Sequence, residues 1–349
     1  MNYLDKSWET RRRKFPLSGF EFDTIAPHIN FKLGRWTGSL QYRLYYYSET
    51  GRTTQFPHHA WVGYNFPGGD TLKAGFTKVP FGILPFASNN YFFSLAYYVG
   101  LEDDYDVGLS YERHAGPWRF DVAYFQTDEG SFVGKSHDSA RYSYDVVDEG
   151  KAGNTERNQV NARAEYTLQP AKKTTVKIGL SAEYGRIPNK FTHRAGRHYA
   201  VAGHIDIGHG PWSLKLEAAH FGYRLKNPAG QSRDIVIMGA YDFSYQTPAS
   251  GTLYIIGLAR HWAINWGIIK NLTVYNDYSL LDKGPAGYRT SQQNVTGFSL
   301  DFKGPLLLYV DIAQGKHDAW IGPDFTRALG PGDPTGWNQR FNVNLGLYF

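Results

Sequence analysis

The chain has 349 residues, 37 Lys+Arg against 32 Asp+Glu, a formal charge of +5, no cysteine and 16% aromatic residues. The missing cysteines exclude disulfide frameworks, thiol catalysis and Cys-ligated metal centres. A bundle of membrane helices is excluded as well. It needs runs of about 20 apolar residues, and the one uncharged stretch of that length, Val79–Leu101, is broken by Pro80, Pro85, Asn89 and Asn90.

The first fifteen residues, MNYLDKSWETRRRKF, contain no apolar signal core. The expectation is a chain whose signal peptide has been removed, with residues 1–16 as a periplasmic tail. Arg11-Arg12-Arg13 belongs to that tail. Nucleic acid is not an expected partner, because no nucleic-acid-binding fold accompanies the basic run.

From there the pattern is alternation. Trp118–Tyr124 (WRFDVAY) puts Trp118, Phe120, Val122 and Tyr124 on one face, with Arg119 and Asp121 on the other. Val160–Leu168, Val176–Tyr184, Trp212–Ala218 and Phe341–Phe349 repeat it. A period of two means half-buried strands. Fifteen segments read this way: 24–33, 38–49, 57–65, 71–79, 103–112, 118–127, 158–168, 174–187, 197–208, 212–225, 251–262, 270–281, 293–303, 306–316 and 338–349. Residues 12–23 are the expected source of a sixteenth, with fourteen strands the alternative count. Residues 226–250 read as a long loop partly folded inward.

Short connections (Arg35–Gly38, Pro67–Asp70, His114–Pro117, Gln169–Lys173, His209–Pro211, Gly304-Pro305) alternate with long polar ones (Asp128–Arg157, Pro188–Gly196, His317–Trp337). Short turns at one end and long loops at the other, with aromatics at strand ends, are features of outer-membrane barrels. A soluble β-sandwich is the competing architecture, but its strands are shorter. The expected fold is all-β: a transmembrane antiparallel barrel over 17–349, most simply of sixteen strands, with inward loops near 79–101 and 226–250.

Three stretches carry a family resemblance: LKAGFTKVPFGILPFASNNYFFSLAYYVGLEDDYDVGLSYE (72–112), LTVYNDYSLLDK (272–283) and LYVDIAQGKHDAWIG (308–322). With them the chain resembles bacterial phosphate-selective porins. The resemblance implies a sixteen-stranded barrel, often trimeric, that passes small solutes across the outer membrane. It also implies arginine ladders and a lysine cluster that conduct anions, although no ladder maps residue by residue here. The terminal Phe349, with Leu347, Leu345, Val343 and Phe341 stepping back by two, resembles the signal read by barrel-assembly machinery.

Alternation turns Arg43, Lys73, Arg119, Arg163, Lys177, Lys215 and Arg340 toward the lumen, since Arg or Lys on the lipid face costs about 2–4 kcal/mol at the midplane. Fixed cations there favour anions. The same face carries Asp104, Asp106, Asp121, Glu165, Glu183, Asp206, Glu217, Asp277, Asp301 and Asp311. A mutually neutralising wall, with Arg163 and Lys177 pairing to Glu165 and Glu183, is therefore the competing expectation. In the Val79–Leu101 loop, Phe81, Phe86, Tyr91, Phe92 and Phe93 are the candidate constriction; packing of the loop on the rim or on a neighbouring subunit is the alternative.

Glu102-Asp103-Asp104-Tyr105-Asp106 lacks the spacing of a known calcium loop. It is expected to be solvated or paired with arginine. His198 and His204 are six residues apart on one strand, too far for one metal. No metal or cofactor is expected. No G-x-S-x-G, H-E-x-x-H or phosphate-binding loop occurs. The expected function is passive diffusion of small polar solutes, with anions as candidates, outer-membrane lipid and lipopolysaccharide as surroundings and a homotrimer as the assembly. A barrel lipase or protease and a plugged structural or adhesion barrel are the alternatives.

Overall fold

The structure is a computed structural model that describes residues 24–47 and 51–348. The strands are β1 (Thr24–Ile25), β2 (His28–Leu33), β3 (Trp36–Tyr47), β4 (Arg52–Asn65), β5 (Thr71–Lys78), β6 (Tyr105–Ala115), β7 (Trp118–Asp128), β8 (Asp145–Val146), β9 (Arg157–Ala171) and β10 (Thr174–Asn189). They continue with β11 (Arg194–His209), β12 (Trp212–Arg224), β13 (Ile235–Ala240), β14 (Phe243–Pro248), β15 (Ser250–Trp266), β16 (Ile269–Lys283), β17 (Ser291–Phe302), β18 (Leu306–Lys316) and β19 (Trp337–Leu347). Sixteen of them form one antiparallel sheet running from β1 and β2 to β19. β1 and β2 share one place in the wall: both pair with β3, and Ala26-Pro27 separates them. The expected strand at 12–23, the tail at 1–16 and Phe349 lie outside the described residues.

Most wall strands run 11–17 residues, enough to cross a bilayer at a tilt. The alternation is inside-out relative to a soluble protein. On β10, Leu180 is 69% exposed, while Ser181 beside it is buried. On β9, Val160 is exposed and Asn161, Arg163 and Glu165 are buried. An apolar outer face and a polar inner face suit lipid outside and water inside.

Turns at one end are short: Gly34-Arg35, Gly116-Pro117, Lys172-Lys173, Gly210-Pro211 and Gly267-Ile268. At the other end run the long segments 79–104, 129–156, 225–249 and 317–336. Pro188–Gly196 is a correction. It is not a long link, because β10 and β11 pair as far as Asn189 and Arg194 and leave a four-residue turn.

The long segments build an inner layer. β13 pairs with β14 and β8 in a separate three-stranded sheet. Its Val236, Met238 and Tyr245 pack with Phe81, Leu95, Tyr97 and Val99 of the 79–104 segment. Inward side chains at the loop ends of the wall, Phe125, Phe221, Leu253 and Leu281, close the same core.

Candidate functional site

The 79–104 segment is fastened to the far wall. Gly82 donates its N–H to Ser181 Oγ at 3.0 Å, and Ile83 donates to Glu217 Oε2 at 2.7 Å. Asn89 and Asn90 bond to Asp277 on β16, and the Leu95 N–H donates to Ser279 Oγ. Within the segment, Glu102 accepts from the N–H and hydroxyl groups of both Ser88 and Ser94. Gly82 has a φ of +59°, and a Cβ there would meet the Glu217 carboxylate. Glycine permits this close approach.

The expected lumen cations fall into two groups. Lys73, Arg119, Lys177 and Lys215 lie in the half of the wall nearer the short turns, on β5, β7, β10 and β12, and Arg163 joins their band from the middle of β9. Acids alternate with them. Arg119 lies opposite Glu165 and Asp121 opposite Arg163, while Asp206 lies opposite both Lys177 and Lys215. Arg119 pairs with Glu112 at 2.8 Å and Asp121 at 3.0 Å. Arg163, buried, pairs with Asp121 at 3.1 Å and with Glu165, and donates to the Gly82 carbonyl at 2.8 Å.

Lys177 pairs with Asp206 at 3.7 Å rather than with Glu183, whose neighbours are Asn161 and His198. Register explains the difference, since Lys177 lies directly opposite Asp206. Lys73 makes no ion pair among the described residues and lies 4.8 Å from the Trp61 ring. Lys215 Nζ donates to the Phe86 and Ser88 carbonyls, so it secures the loop. Arg43 and Arg340 lie elsewhere. Arg43 covers the Tyr142 ring at 4.5 Å; Arg340 covers Phe92 at 5.2 Å and donates to the Trp320 carbonyl.

Of the loop aromatics, Phe81 and Phe92 are buried, Tyr91 and Phe93 are partly covered, and Phe86 is exposed under the Lys78 ammonium. A cavity of about 380 Å³ separates the loop from the wall. Pro80, Leu84 and Pro85 line its loop side. Lys73, Lys78, Arg119, Glu112, His28 and His59 are among its other lining residues.

The Glu102–Asp106 run corrects the sequence reading: it is not solvated, and no arginine among the described residues pairs with it. All four acids are buried, and Asp103 takes Lys78 at 2.6 Å and the Tyr142 hydroxyl. His204 lies against Glu165 and Arg163, and His198 stacks on Tyr223. Sequence reasoning missed Ser181, Glu217, Asp277 and Ser279 as loop anchors. The available signal was Asn89-Asn90 in an otherwise uncharged segment, since paired amides there need polar partners.

Residues 29–247, more than half of the chain, match the family described as phosphate-selective porin O and P. The chain belongs to that family. No protein of curated function matches this porin's sequence. Among solved structures it is similar to an anion-selective porin from Comamonas acidovorans, at 12% identity and a TM-score of 0.54, covering 92% of this chain and 88% of that one. It is similar to the outer membrane channel DcaP of Acinetobacter baumannii, at 13% identity, TM-score 0.52, over 91% and 82% of the two chains. OmpT, an outer membrane protein of Vibrio cholerae, matches at 9% identity, TM-score 0.51, over 94% and 90%. These likenesses concern the fold. The porin is an outer-membrane channel protein of the passive-diffusion type.

Proposed function

We propose that this porin passes small polar solutes along the space between the 79–104 loop and the β5–β7 wall, with a modest preference for anions. The observation that carries the reading is Lys73, an ammonium on the cavity wall that makes no ion pair among the described residues. Neighbouring cations are matched by acids: Arg119 with Glu112 and Asp121, Lys78 with Asp103. The wall therefore carries only a small surplus of positive charge. Fixed charge of one sign lowers the barrier for counter-ions. The family and the anion-selective relative support that sign. The porin acts as a homotrimer, without covalent chemistry.

The test is a planar bilayer recording of the purified protein across a KCl gradient. Discrete steps with a reversal potential on the anion side are expected. A cation-side potential refutes the anion preference. One observation favours a second reading, a plugged structural barrel: the loops share an apolar core within the barrel. Absence of steps from correctly folded protein selects that reading.

A further inference from the structure

Three aspartates from two parts of the chain converge at the loop end of β6. Asp104 closes the 79–104 segment, Asp106 stands on β6 and Asp145 on β8 of the inner sheet. One carboxylate oxygen from each lies within 4.8 Å of the others, and all three residues are buried. Buried carboxylates require compensating charge or a bound proton. Arg141, the neighbouring cation, is divided among Asp128 at 3.3 Å, Asp138 at 2.6 Å and Asp145 at 2.9 Å. Among the described residues no ion pair reaches Asp104 or Asp106.

A second observation points to a ligand. Glu129, outside the trio and only 5% exposed, brings its carboxyl against that of Asp145. Its Oε2 is buried without a hydrogen-bond partner among the described residues, as are Asp104 Oδ1 and Asp106 Oδ1. Unpartnered buried oxygens are rare in folded proteins, and here they gather in one place.

We propose that Asp104, Asp106, Asp145 and Glu129 bind one calcium-sized divalent cation. The donors are oxygens only, which suits calcium or magnesium over zinc or copper. Magnesium keeps several waters, and the burial of all four acids favours the ion that sheds them. The bound ion ties the wall at β6 to the 79–104 loop and to the inner sheet. This site is independent of the solute that the porin passes.

The test uses the full chain refolded in detergent without lipopolysaccharide, stripped with chelator and titrated with calcium chloride by calorimetry. Heat unfolding is followed in calcium chloride and in EDTA. One calcium per chain and a higher melting temperature in calcium are expected. Asp106→Asn should bind at least about tenfold more weakly, yet be no less stable than wild type in EDTA, because one uncompensated charge is gone. Glu129→Gln gives the same comparison if Asp106→Asn does not fold. An unchanged wild-type melting temperature in calcium overturns the site. So does wild-type affinity in the variant, or lower stability of both variants in EDTA, which marks a role in hydrogen bonding alone.

Discussion

Asn89 grips Asp277 twice, through its backbone N–H to Oδ2 and its side-chain amide to Oδ1, both at 2.7 Å. Asn90 adds a third bond at 2.7 Å to the same carboxylate. Hydrogen bonds to a charged group contribute about 1.5–3 kcal/mol each. Asp277→Ala removes all three and frees the middle of the loop. The expected result is a larger and noisier single-channel conductance with unchanged heat resistance of the wall. Conductance equal to wild type would show that the loop does not limit the passage.

Selectivity should follow unpaired charge rather than total charge. Lys73 makes no ion pair among the described residues, whereas Lys177 faces Asp206 at 3.7 Å. Lys73→Gln is expected to move the reversal potential in a KCl gradient toward the cation side. Lys177→Gln should move it less, since its charge is already matched. The reverse ranking counts against the cavity beside β5 as the ion path.

Arg163 joins Asp121, Glu165 and the Gly82 carbonyl, so it bridges the wall and the loop. Arg163→Met leaves buried Asp121 with Arg119 and buried Glu165 with His204 as their remaining partners. Removing one partner of a buried ion network costs about 3–5 kcal/mol. The midpoint of urea unfolding should fall accordingly. Arg163→Lys should recover only part of the loss, because an ammonium lacks the planar fork.

Asp318, in the 317–336 segment, accepts the N–H groups of Trp320 and Ile321 on Oδ1 at 2.8 and 3.0 Å. Its Oδ2 is buried without a hydrogen-bond partner among the described residues. Burial pushes its pKa up to about 6, against about 4 in an unfolded chain. The folded state holds this proton more tightly than the unfolded state. The stabilisation is therefore complete below about pH 4 and lost as pH rises to about 6. Asp318→Asn keeps the Oδ1 acceptor and should flatten unfolding free energy over that window. An undiminished slope in the variant assigns the dependence to another group.

The wall was legible because period-two alternation follows directly from strand geometry. All fifteen proposed segments overlap observed wall positions, and Arg163 does pair with Glu165. The ends of β10 and β11 were obscured by Pro188 and the polar residues after it, which read as a loop although Pro188 pairs opposite Ala195. The loop anchors were hidden by distance: Asn89 and Asp277 are 188 positions apart. The three stretches that carry the family resemblance nevertheless meet in space. Asn89 reaches Asp277, the Tyr275 hydroxyl donates to Asp311 at 2.6 Å, and the rings of Tyr98 and Trp320 stack. The acids at 102–106 looked solvated because the groups that bury them, Tyr142 and Asp145 among them, come from a later segment.

The apolar core at the loop end has a consequence in time. Its members range from Val79 to Leu329, and no short part of the chain contains them all. They meet only when successive hairpins have carried the loops round to one side, and such distant contacts form slowly. The wall must therefore be largely complete before the interior can condense. Burial of Leu95 or Met238, followed by a probe placed there, becomes a clock for the last stage of assembly.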